Sequence, residues 1–288
     1  MNLRLSKNVK NSKDDFAGFN NLSVKVFGLS LEKWYNAGYW GDKYDSYTYF
    51  NGVKAVANIS VSKIYTLVKG EPRLYIQLGN VSTDPEYRHQ GFIRRLMQEV
   101  MDDYVDNCDG IYLYANETVI DFYPKFGFEK ADEYQYSKEI VPHPIALKKL
   151  DMENDTDIKL LEYYYNKNNP FSANPMLKNF DLLMFYCGNS LKNNIYYSEK
   201  LQAVIIASFH NDTMLCYDIY CDEENDIDVV LNVGAREGIK TVALGFTPKN
   251  IEGYTVKKIE SNVQLFVHKK GENMFTQSKM MLPLLSHA

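Results

Sequence analysis

The spacing of apolar residues predicts a strand, a loop and a helix in the middle of the first half of the chain. Val, Ile, Leu and Tyr dominate residues 74–81, as in a strand, and Gly79 within it indicates a bulge or a close backbone approach. Asp84-Pro85 interrupts the pattern. From Phe92 to Tyr104 apolar side chains recur at intervals of three and four residues, which is the period of one helix face.

The segments before this unit predict an antiparallel meander that leads into its strand. Asn51-Gly52 is the best hairpin turn in the sequence, and apolar residues alternate after it. The predicted elements are a strand at 3–5, a helix from Asp14 or Asp15 to Phe27, a short helix after Ser30, and strands at 46–50 and 53–68.

The segments after the unit predict two further elements, a hairpin and a linker. Gly110 is expected to end the helix, as glycine commonly does. The elements are a strand at 111–114, a helix at 117–123 capped by Asn116, and a hairpin-like segment at 126–136. Residues 141–144 read Val-Pro-His-Pro and are interpreted as a linker. We therefore divide the chain into domains at residues 1–145 and 146–288.

The start of the central helix combines a glycine, Gly91, with four basic side chains: Arg88, His89, Arg94 and Arg95. Cations there oppose the helix dipole by roughly 0.3–1 kcal/mol each when exposed. Backbone N–H groups point out of the same turn, and a glycine leaves them accessible. The combination favours a phosphate or pyrophosphate ligand. The alternative is a surface loop whose arginines are offset by Asp84 and Glu86.

The second half weakly repeats the order strand, loop, helix, glycine, strand. Its strand-to-helix loop, residues 221–226, is rich in carboxylates, which suit a helix N-terminus but repel a pyrophosphate. An unrelated α/β lid is the alternative to a repeated domain, and a metal site in the loop is less favoured than solvated acids. The predicted elements are helices at 155–166, 174–186 and 226–237, and strands at 194–198, 202–209, 214–221, 240–246 and 263–267.

The motif at the central helix is Arg88-His89-Gln90-Gly91-Phe92-Ile93. It resembles the Arg/Gln-x-x-Gly-x-Gly/Ala loop with which GNAT N-acetyltransferases grip the pyrophosphate of acetyl-coenzyme A (acetyl-CoA). Residues 81–88, Asn116 and the later Tyr123-Pro-Lys-Phe-Gly127-Phe128 are similar to that family as well. Ile93 departs from the family's Gly or Ala. The resemblance covers the first half of the chain.

The resemblance implies an α/β (α+β) fold, with a mixed central sheet flanked by helices and then a smaller, degenerate GNAT-like domain. Acetyl-CoA is the implied cosubstrate. Tyr123 is the implied general acid, because a phenol of pKa about 10 stays protonated at neutral pH and donates to a thiolate of pKa about 8.5. The alternative is that Tyr123 only packs in an aromatic cluster. The implied coenzyme contacts are Val81, Ser82, Thr83, Arg88, His89, Gln90, Gly91, Phe92, Ile93, Arg94 and Asn116.

Composition narrows the class of protein. The 288 residues are 45% hydrophobic and 24% charged, which is typical of a globular chain. The mean hydropathy is -0.38 and apolar runs are short, so we expect no membrane span. The N-terminus lacks the apolar core of a signal peptide, which indicates the cytoplasm. The four cysteines lack metal-ligand spacing, so neither a metal nor a disulfide is expected. The net charge of -5 argues against nucleic acid as a partner.

The acceptor and the base stay open at this level. The acceptor is expected to be a small-molecule amine or an amine of a peptide or protein, and a homodimer is one option for the assembly. Water is one candidate base. The candidate side chains for the base are Gln77, Glu71, Asp84 and Glu86. His89 is interpreted as a coenzyme or structural contact, and His287 as part of a mobile terminus.

The second domain is expected to shape the acceptor site and to bind no coenzyme. Residues 163–165, three tyrosines, are candidates for one wall of a cleft, facing the aromatic residues between Trp34 and Trp40. The alternative for Trp34 and Trp40 is that they plug one end of the sheet. Two rival functions are a non-catalytic acyl-CoA sensor and a nucleotide-binding domain, although the latter lacks Gly-x-Gly-x-x-Gly and a Walker lysine.

Overall fold

The computed structural model describes residues 3–143, 145–270, 273, 275 and 278–287, so Pro144 of the predicted linker lies outside it. The described residues form two seven-stranded mixed sheets and six α-helices, which confirms the predicted α+β class. None of these helices has the length and apolar character needed to cross a membrane.

The first half supplies seven strands and three helices. Their bounds are β1 (Leu3–Ser6), α1 (Lys13–Phe27), α2 (Glu32–Asn36), β2 (Tyr44–Asn51), β3 (Lys54–Val68), β4 (Glu71–Thr83), α3 (Phe92–Tyr104), β5 (Gly110–Asn116), β6 (Phe128–Ala131) and β7 (Tyr134–Glu139). The meander and the central strand–loop–helix unit are therefore confirmed.

Three local predictions in this half were wrong. Ser12 caps α1, because its hydroxyl accepts the Asp15 N–H at 3.2 Å, and neither Asp14 nor Asp15 is the cap. α3 ends at Tyr104, and Gly110 is the first residue of β5. The predicted helix at 117–123 is instead two short 3₁₀ turns, Glu117–Val119 and Tyr123–Phe126.

The second half repeats the same kind of layout. Its bounds are β8 (Lys148–Lys149), α4 (Asp155–Tyr165), α5 (Phe180–Cys187), β9 (Ile195–Ser198), β10 (Ala203–His210), β11 (Thr213–Tyr220), α6 (Ile227–Gly234), β12 (Thr241–Leu244), β13 (Thr255–Lys258) and β14 (Val263–His268). β4 and β5 pair in parallel around α3, and β11 and β12 pair in parallel around α6. The repeated order predicted from the sequence is therefore present.

The two sheets exchange one strand each. The first has the order β1-β2-β3-β4-β5-β14-β6, and the second has the order β8-β9-β10-β11-β12-β7-β13. β14 lies antiparallel to both β5 and β6, and β7 lies antiparallel to both β12 and β13. The predicted hairpin at 126–136 is wrong, since β6 and β7 belong to different sheets. The division into residues 1–145 and 146–288 stays a prediction, and two strands cross it.

One apolar core joins the two halves. Tyr75 and Tyr112 of the first sheet contribute to the same buried cluster as Leu183 of α5 and Leu285 near the end of the chain. All four side chains are at most 2% exposed. The face of β4 and β5 opposite α3 is therefore covered by the second half.

Candidate active site

The strands β4 and β5 separate in the middle of the first sheet. Their parallel pairing runs from Tyr75 opposite Gly110 to Leu78 opposite Leu113 and then stops, although β4 continues to Thr83 and β5 to Asn116. The register of β4 against β3 shifts in the same place, and Asn80 has a left-handed φ of 44°. The bulge predicted at Gly79 is thus confirmed. The diverging strands leave an opening whose walls are backbone peptide groups.

The turn before α3 presents an uncapped helix start beside this opening. Gly91 is the N-cap residue, with φ 76° and ψ 15°, and no side chain accepts from the first turn. A Cβ built on Gly91 would have no neighbour within 4 Å, so the space in front of it is open. Arg88, His89, Gln90 and Arg94 are exposed around the turn. A helix start with free N–H groups and unblocked cations suits an anionic group.

The nearby carboxylates do not offset these cations. Asp84 is 2% exposed and binds Lys25 at 3.0 Å and Lys54 at 3.2 Å, and Glu86 binds Lys54 at 2.6 Å. Burial would raise the pKa of Asp84, but the hydrogen bonds from Lys25 and Lys54 outweigh burial and lower this pKa. The alternative of a self-neutralised surface loop therefore loses its support, and Asp84 and Glu86 are poor candidates for a base.

Arg95 has a positioning role in the loop. Its guanidinium lies 4.7 Å from the ring centroid of Phe92, and its Nη2 donates to the carbonyl oxygen of Gln90 at 3.4 Å. Phe92 is buried, while Ile93 is half-buried. Arg95 therefore holds the loop against the helix, and Arg88 and Arg94 are left as the outward-facing cations.

The structure holds Tyr123 in an aromatic cluster close to β5. Its ring contacts Phe122, Phe128 and Phe266 at centroid distances of 5.3 to 6.2 Å, and the residue is 4% exposed. Burial raises the pKa of the phenol to about 12, so it is protonated at neutral pH. Packing and proton donation are compatible here, because the ring supplies the first and the hydroxyl the second.

The other predicted contacts lie along the edges of the opening. Ser82 and Thr83 pair with Asn58 and Ala57 of β3, so this part of β4 is anchored on one side. Asn116 ends β5, and its side chain accepts the Thr118 N–H at 3.1 Å. The structure brings residues 81–83, the 88–94 loop and Asn116 to the same end of the central strands.

A cleft of about 670 Å³ opens on the face of the diverging strands that the second half covers. Gln77 of β4 and Tyr114 of β5 lie at its wall. It is also lined by Glu133 between β6 and β7, Tyr186 of α5, and Leu284 and His287 near the chain end. These residues come from distant segments, and none except Gln77 and His287 was a sequence-based candidate.

The aromatic residues that were predicted to line an acceptor cleft do not line the cleft found in the structure. Trp34 and Trp40 are 4% and 6% exposed and pack with Phe16 and Phe19 of α1 in a separate apolar cluster. The packing alternative is therefore confirmed for both tryptophans. Residues 164 and 165 are buried in the shared core, and residue 163 faces outwards. Tyr112 and Tyr114 lie two residues apart and share one face of β5, as the strand predicted at 111–114 already implied, and Tyr114 lines the actual cleft.

Comparison with known families decides what the first half is. Residues 9–131 match the family model described as the acetyltransferase (GNAT) domain. These residues form a GNAT domain. No curated protein matches this chain in sequence.

Solved structures extend the likeness to both halves. The chain is similar to a probable N-acyltransferase from Enterococcus faecalis V583, with 15% identity, a TM-score of 0.64, and coverage of 93% of this chain and 72% of that one. It is also similar to GCN5-related N-acetyltransferases from Anabaena variabilis (14% identity, TM-score 0.58, coverage 92% and 72%) and Kribbella flavida (15%, 0.54, 92% and 71%). At such identities the likeness shows the fold alone.

The second half has the GNAT-like strand order but closes the equivalent opening. Asp226 caps α6, its carboxylate accepting the N–H of Asp228 at 2.7 Å, so a side chain occupies the helix start that Gly91 leaves open in the GNAT domain. The Gly245 N–H donates to the Cys216 carbonyl at 2.7 Å, and a Cβ on Gly245 would lie 2.9 Å from the Tyr217 backbone. There is no room between these strands for a ligand.

The acidic loop of the second half has structural partners. Asp222 binds Lys167 at 2.6 Å, and Asp226 is committed to the helix cap. Across the described residues, no three His, Cys, Asp or Glu side chains converge as metal ligands would. The ion pair and the cap account for two of the four acids in this loop, and the other two, Glu223 and Glu224, are exposed.

His287 is docked in the cleft, so the prediction of a mobile terminus was wrong. Its Nε2 lies 2.8 Å from the Tyr114 hydroxyl, the two rings are 4.3 Å apart, and its carbonyl oxygen accepts from the Tyr186 hydroxyl. Burial lowers the pKa of His287 to about 4, so the imidazole is neutral at pH 7. Burial likewise raises the pKa of Glu133 to about 7. The cleft thus holds two groups whose pKa values are displaced in opposite directions.

These two groups should make opposite contributions to the pH dependence of stability. His287 resists protonation in the folded chain, so its contribution to the free energy of unfolding falls as the pH drops from about 6.5 to about 4. Glu133 retains its proton in the folded chain, so its contribution falls as the pH rises from about 4.5 to about 7. We expect the two contributions to offset each other in the overlapping window.

Urea unfolding at several pH values tests this balance. In Glu133→Gln only the His287 contribution remains, so the free energy of unfolding should decrease towards acid pH. In His287→Gln only the Glu133 contribution remains, so the free energy of unfolding should decrease towards neutral pH over the same window. Slopes of the same sign in both variants would show that at least one of the two pKa displacements is misassigned.

Proposed function

We propose that the protein transfers the acetyl group of acetyl-CoA to a primary amine. The observation that carries the proposal is the open start of α3, with Gly91 as an N-cap without a side-chain bond, next to the divergence of β4 and β5. Membership of residues 9–131 in the GNAT family supports an acyltransferase. The choice of acetyl-CoA and an amine is the finer part of the proposal.

The residues around the opening fit the coenzyme. The first amides of α3 would bind the pyrophosphate, and Arg88 and Arg94 would neutralise it. Backbone groups of residues 81–83 would hydrogen-bond the pantetheine arm and the thioester carbonyl, with Asn116 across the opening. Asp84 and Glu86 are held by lysines and do not repel the phosphates.

The reaction needs a neutral amine, a polarised carbonyl and a protonated leaving thiolate. Full proton transfer from a phenol of pKa about 12 to a thiolate of pKa about 8.5 is unfavourable by several kcal/mol. Tyr123 therefore acts chiefly by donating a hydrogen bond that strengthens as negative charge develops on sulfur. The hydroxyl passes a proton to sulfur only as it receives one from the amine nitrogen, so no tyrosinate forms.

The cleft between the two halves is the proposed acceptor site. It opens on the same diverging strands as the coenzyme site, through Gln77 and Tyr114. The second half supplies its far wall and binds no coenzyme, because α6 is capped by Asp226 and the gap between β11 and β12 is closed. The proposal keeps the expectation that the second half shapes the acceptor site. The residues that line the cleft, however, are not the predicted tyrosines at 163–165.

A panel of acceptors tests the proposed function. Free thiol is measured after mixing the protein and acetyl-CoA with alkylamines, a diamine and a peptide with a free N-terminus. Thiol release that depends on one class of amine, with acetylated amine found by mass spectrometry, supports the proposal. Tight acetyl-CoA binding without turnover on any amine would instead favour the sensor.

Tyr123→Phe should separate binding from turnover. The ring contacts remain and the proton donor is lost, so acetyl-CoA affinity should hold while kcat falls by roughly tenfold to a thousandfold. Tyr47→Phe is the matched control: Tyr47 is 3% exposed, and its hydroxyl binds Asp103 away from the opening. Equal rates for the two variants would remove Tyr123 from the chemistry.

A further inference from the structure

We propose that the carboxylate of Glu133 receives the ammonium group of the acceptor in the cleft and takes one proton from it. The inference deepens the proposed acetyl transfer and rests on it. It assigns the acceptor a chemical class, an amine that arrives as a cation. It also assigns the base that the sequence left open.

Glu133 lies where the chain crosses from one sheet to the other. β6 ends at Ala131 and β7 starts at Tyr134, so Glu133 belongs to the connection between the two sheets. Its carbonyl accepts the Ile259 N–H at 2.9 Å, and the next N–H, of Tyr134, donates to Met280 at 2.9 Å. The backbone is thus fixed on both sides of the residue.

The carboxylate itself is oriented by the protein. Oε1 accepts the Leu282 N–H at 2.7 Å. A carboxylate accepts about four hydrogen bonds, so this donor leaves capacity for an ammonium. A rigid backbone and an oriented carboxylate are what a site for a small cation requires.

The charges around the cleft favour a cation at Glu133. Lys258 is paired with Asp132 at 2.8 Å, which neutralises the one lysine of the cleft wall. The groups that face Glu133 from the surrounding elements are Asp132, Lys258, Glu260, Tyr114, Tyr186 and His287. His287 is neutral, so the unbalanced charges are the carboxylates of Glu133 and Glu260. The field in the cleft therefore attracts an alkylammonium and repels an anionic acceptor.

The titration of Glu133 suits a base at neutral pH. Burial raises its pKa to about 7, so a large fraction is ionised near pH 7 while its conjugate acid is weak enough to hold the proton. The Tyr114 hydroxyl, 2.8 Å from the His287 imidazole, lines the same cleft. Because His287 is neutral, it adds no positive charge that would compete with an ammonium for the carboxylate.

The proposed step removes two protons from the acceptor nitrogen, one to Glu133 and one to the leaving sulfur. The ammonium gives one proton to the Glu133 carboxylate and becomes a neutral amine. The amine's nitrogen lone pair forms the C–N bond to the thioester carbon, and the C–S bond breaks with its electron pair on sulfur. The second nitrogen proton reaches that sulfur through Tyr123, and the proton on Glu133 leaves to solvent. The products are an amide, a thiol and one released proton.

Glu133→Gln tests the assignment with the fold preserved, because the amide oxygen still accepts from Leu282. On the best amine of the panel, kcat/KM should fall by about 100-fold or more. The pH profile of kcat/KM should lose the limb with an apparent pKa near 7. Acetyl-CoA affinity should be unchanged. Glu260→Gln removes the other unbalanced charge of the cleft but not the base, so KM should rise while the limb is kept.

A binding arm keeps this test separate from the proposed function. Calorimetry compares n-butylammonium with uncharged n-butanol on the wild type and on Glu133→Gln, each checked for a normal unfolding midpoint. The wild type should prefer the ammonium and the variant should lose that preference. If the wild type acetylates no amine, acetyl transfer fails, but this preference still decides recognition by Glu133. An unchanged pH limb or an unchanged ammonium preference in Glu133→Gln overturns the inference.

Discussion

Replacing Gly91 with glutamate is expected to abolish acetyl-CoA binding while leaving the fold intact. A Cβ at Gly91 points into open space, so the added carboxylate would lie where the pyrophosphate is proposed to bind. It would also compete for the free amides of α3, as Asp226 does for α6 in the second half. Calorimetric titration should show one acetyl-CoA site per chain in the wild type. In the variant it should show no binding, or an affinity reduced about 100-fold or more, which is a loss of roughly 3 kcal/mol in binding free energy.

The matched control for this variant is Gly238→Glu. Gly238 also has a positive φ, of 86°, and open space around it, but it lies in the second half. Both variants carry the strain of a side chain on left-handed backbone, about 1–2 kcal/mol, so both should lose similar stability. Gly238→Glu should bind acetyl-CoA normally. Unchanged affinity in Gly91→Glu would remove the phosphate loop from the account.

The parts of the fold that the sequence predicted are those set by local chemistry. Asn51-Gly52 turns the hairpin between β2 and β3, and the three-and-four spacing from Phe92 forms α3. The open helix start was also predictable, since Gly91 and its flanking arginines lie close together in sequence. In each case the residues that decide the structure are neighbours in sequence.

The strand exchange was beyond such reasoning. Nothing local in β6 or β7 distinguishes a hairpin from two strands that enter different sheets. β14 pairs with β5 through Leu265 opposite Tyr114, residues far apart in sequence. The cleft has the same origin, because Tyr114, Glu133 and His287 meet only when the exchanged strands bring three segments together. Pairings of this kind are decided by the packing of whole sheets.

The two halves also show how one position decides whether the first N–H groups of a helix stay free of a side-chain cap. Gly91 offers no side chain to α3, and the N–H groups stay available. Asp226 supplies its own carboxylate to α6. The sequence did reveal this contrast, because the acids of the second loop were visible, but the closing of the gap by Gly245 against Tyr217 was not.

A fragment of residues 1–145 is expected not to fold, because one inner strand of its sheet, β14, is missing. β14 lies between β5 and β6, and Phe266, fully buried, packs with Tyr123 and Phe128. Without it the edges of β5 and β6 lose their hydrogen bonds and the core loses a large aromatic side chain, which alone costs about 3–5 kcal/mol. Circular dichroism in urea should show no cooperative transition.

Restoring the strand within the fragment is the control that makes this result specific. Ala131 lies opposite Leu265, so a short glycine-containing turn from Asp132 to Val263 joins β6 to β14 as an ordinary hairpin. Residues 1–132 with this hairpin expose the same face to solvent as the 1–145 fragment, yet they should recover a cooperative transition. The same hairpin with Phe266→Asp should lose it, since a charge would be buried in the core. If the 1–145 fragment unfolds cooperatively by itself, the exchanged strand is dispensable and the first half is an independent domain.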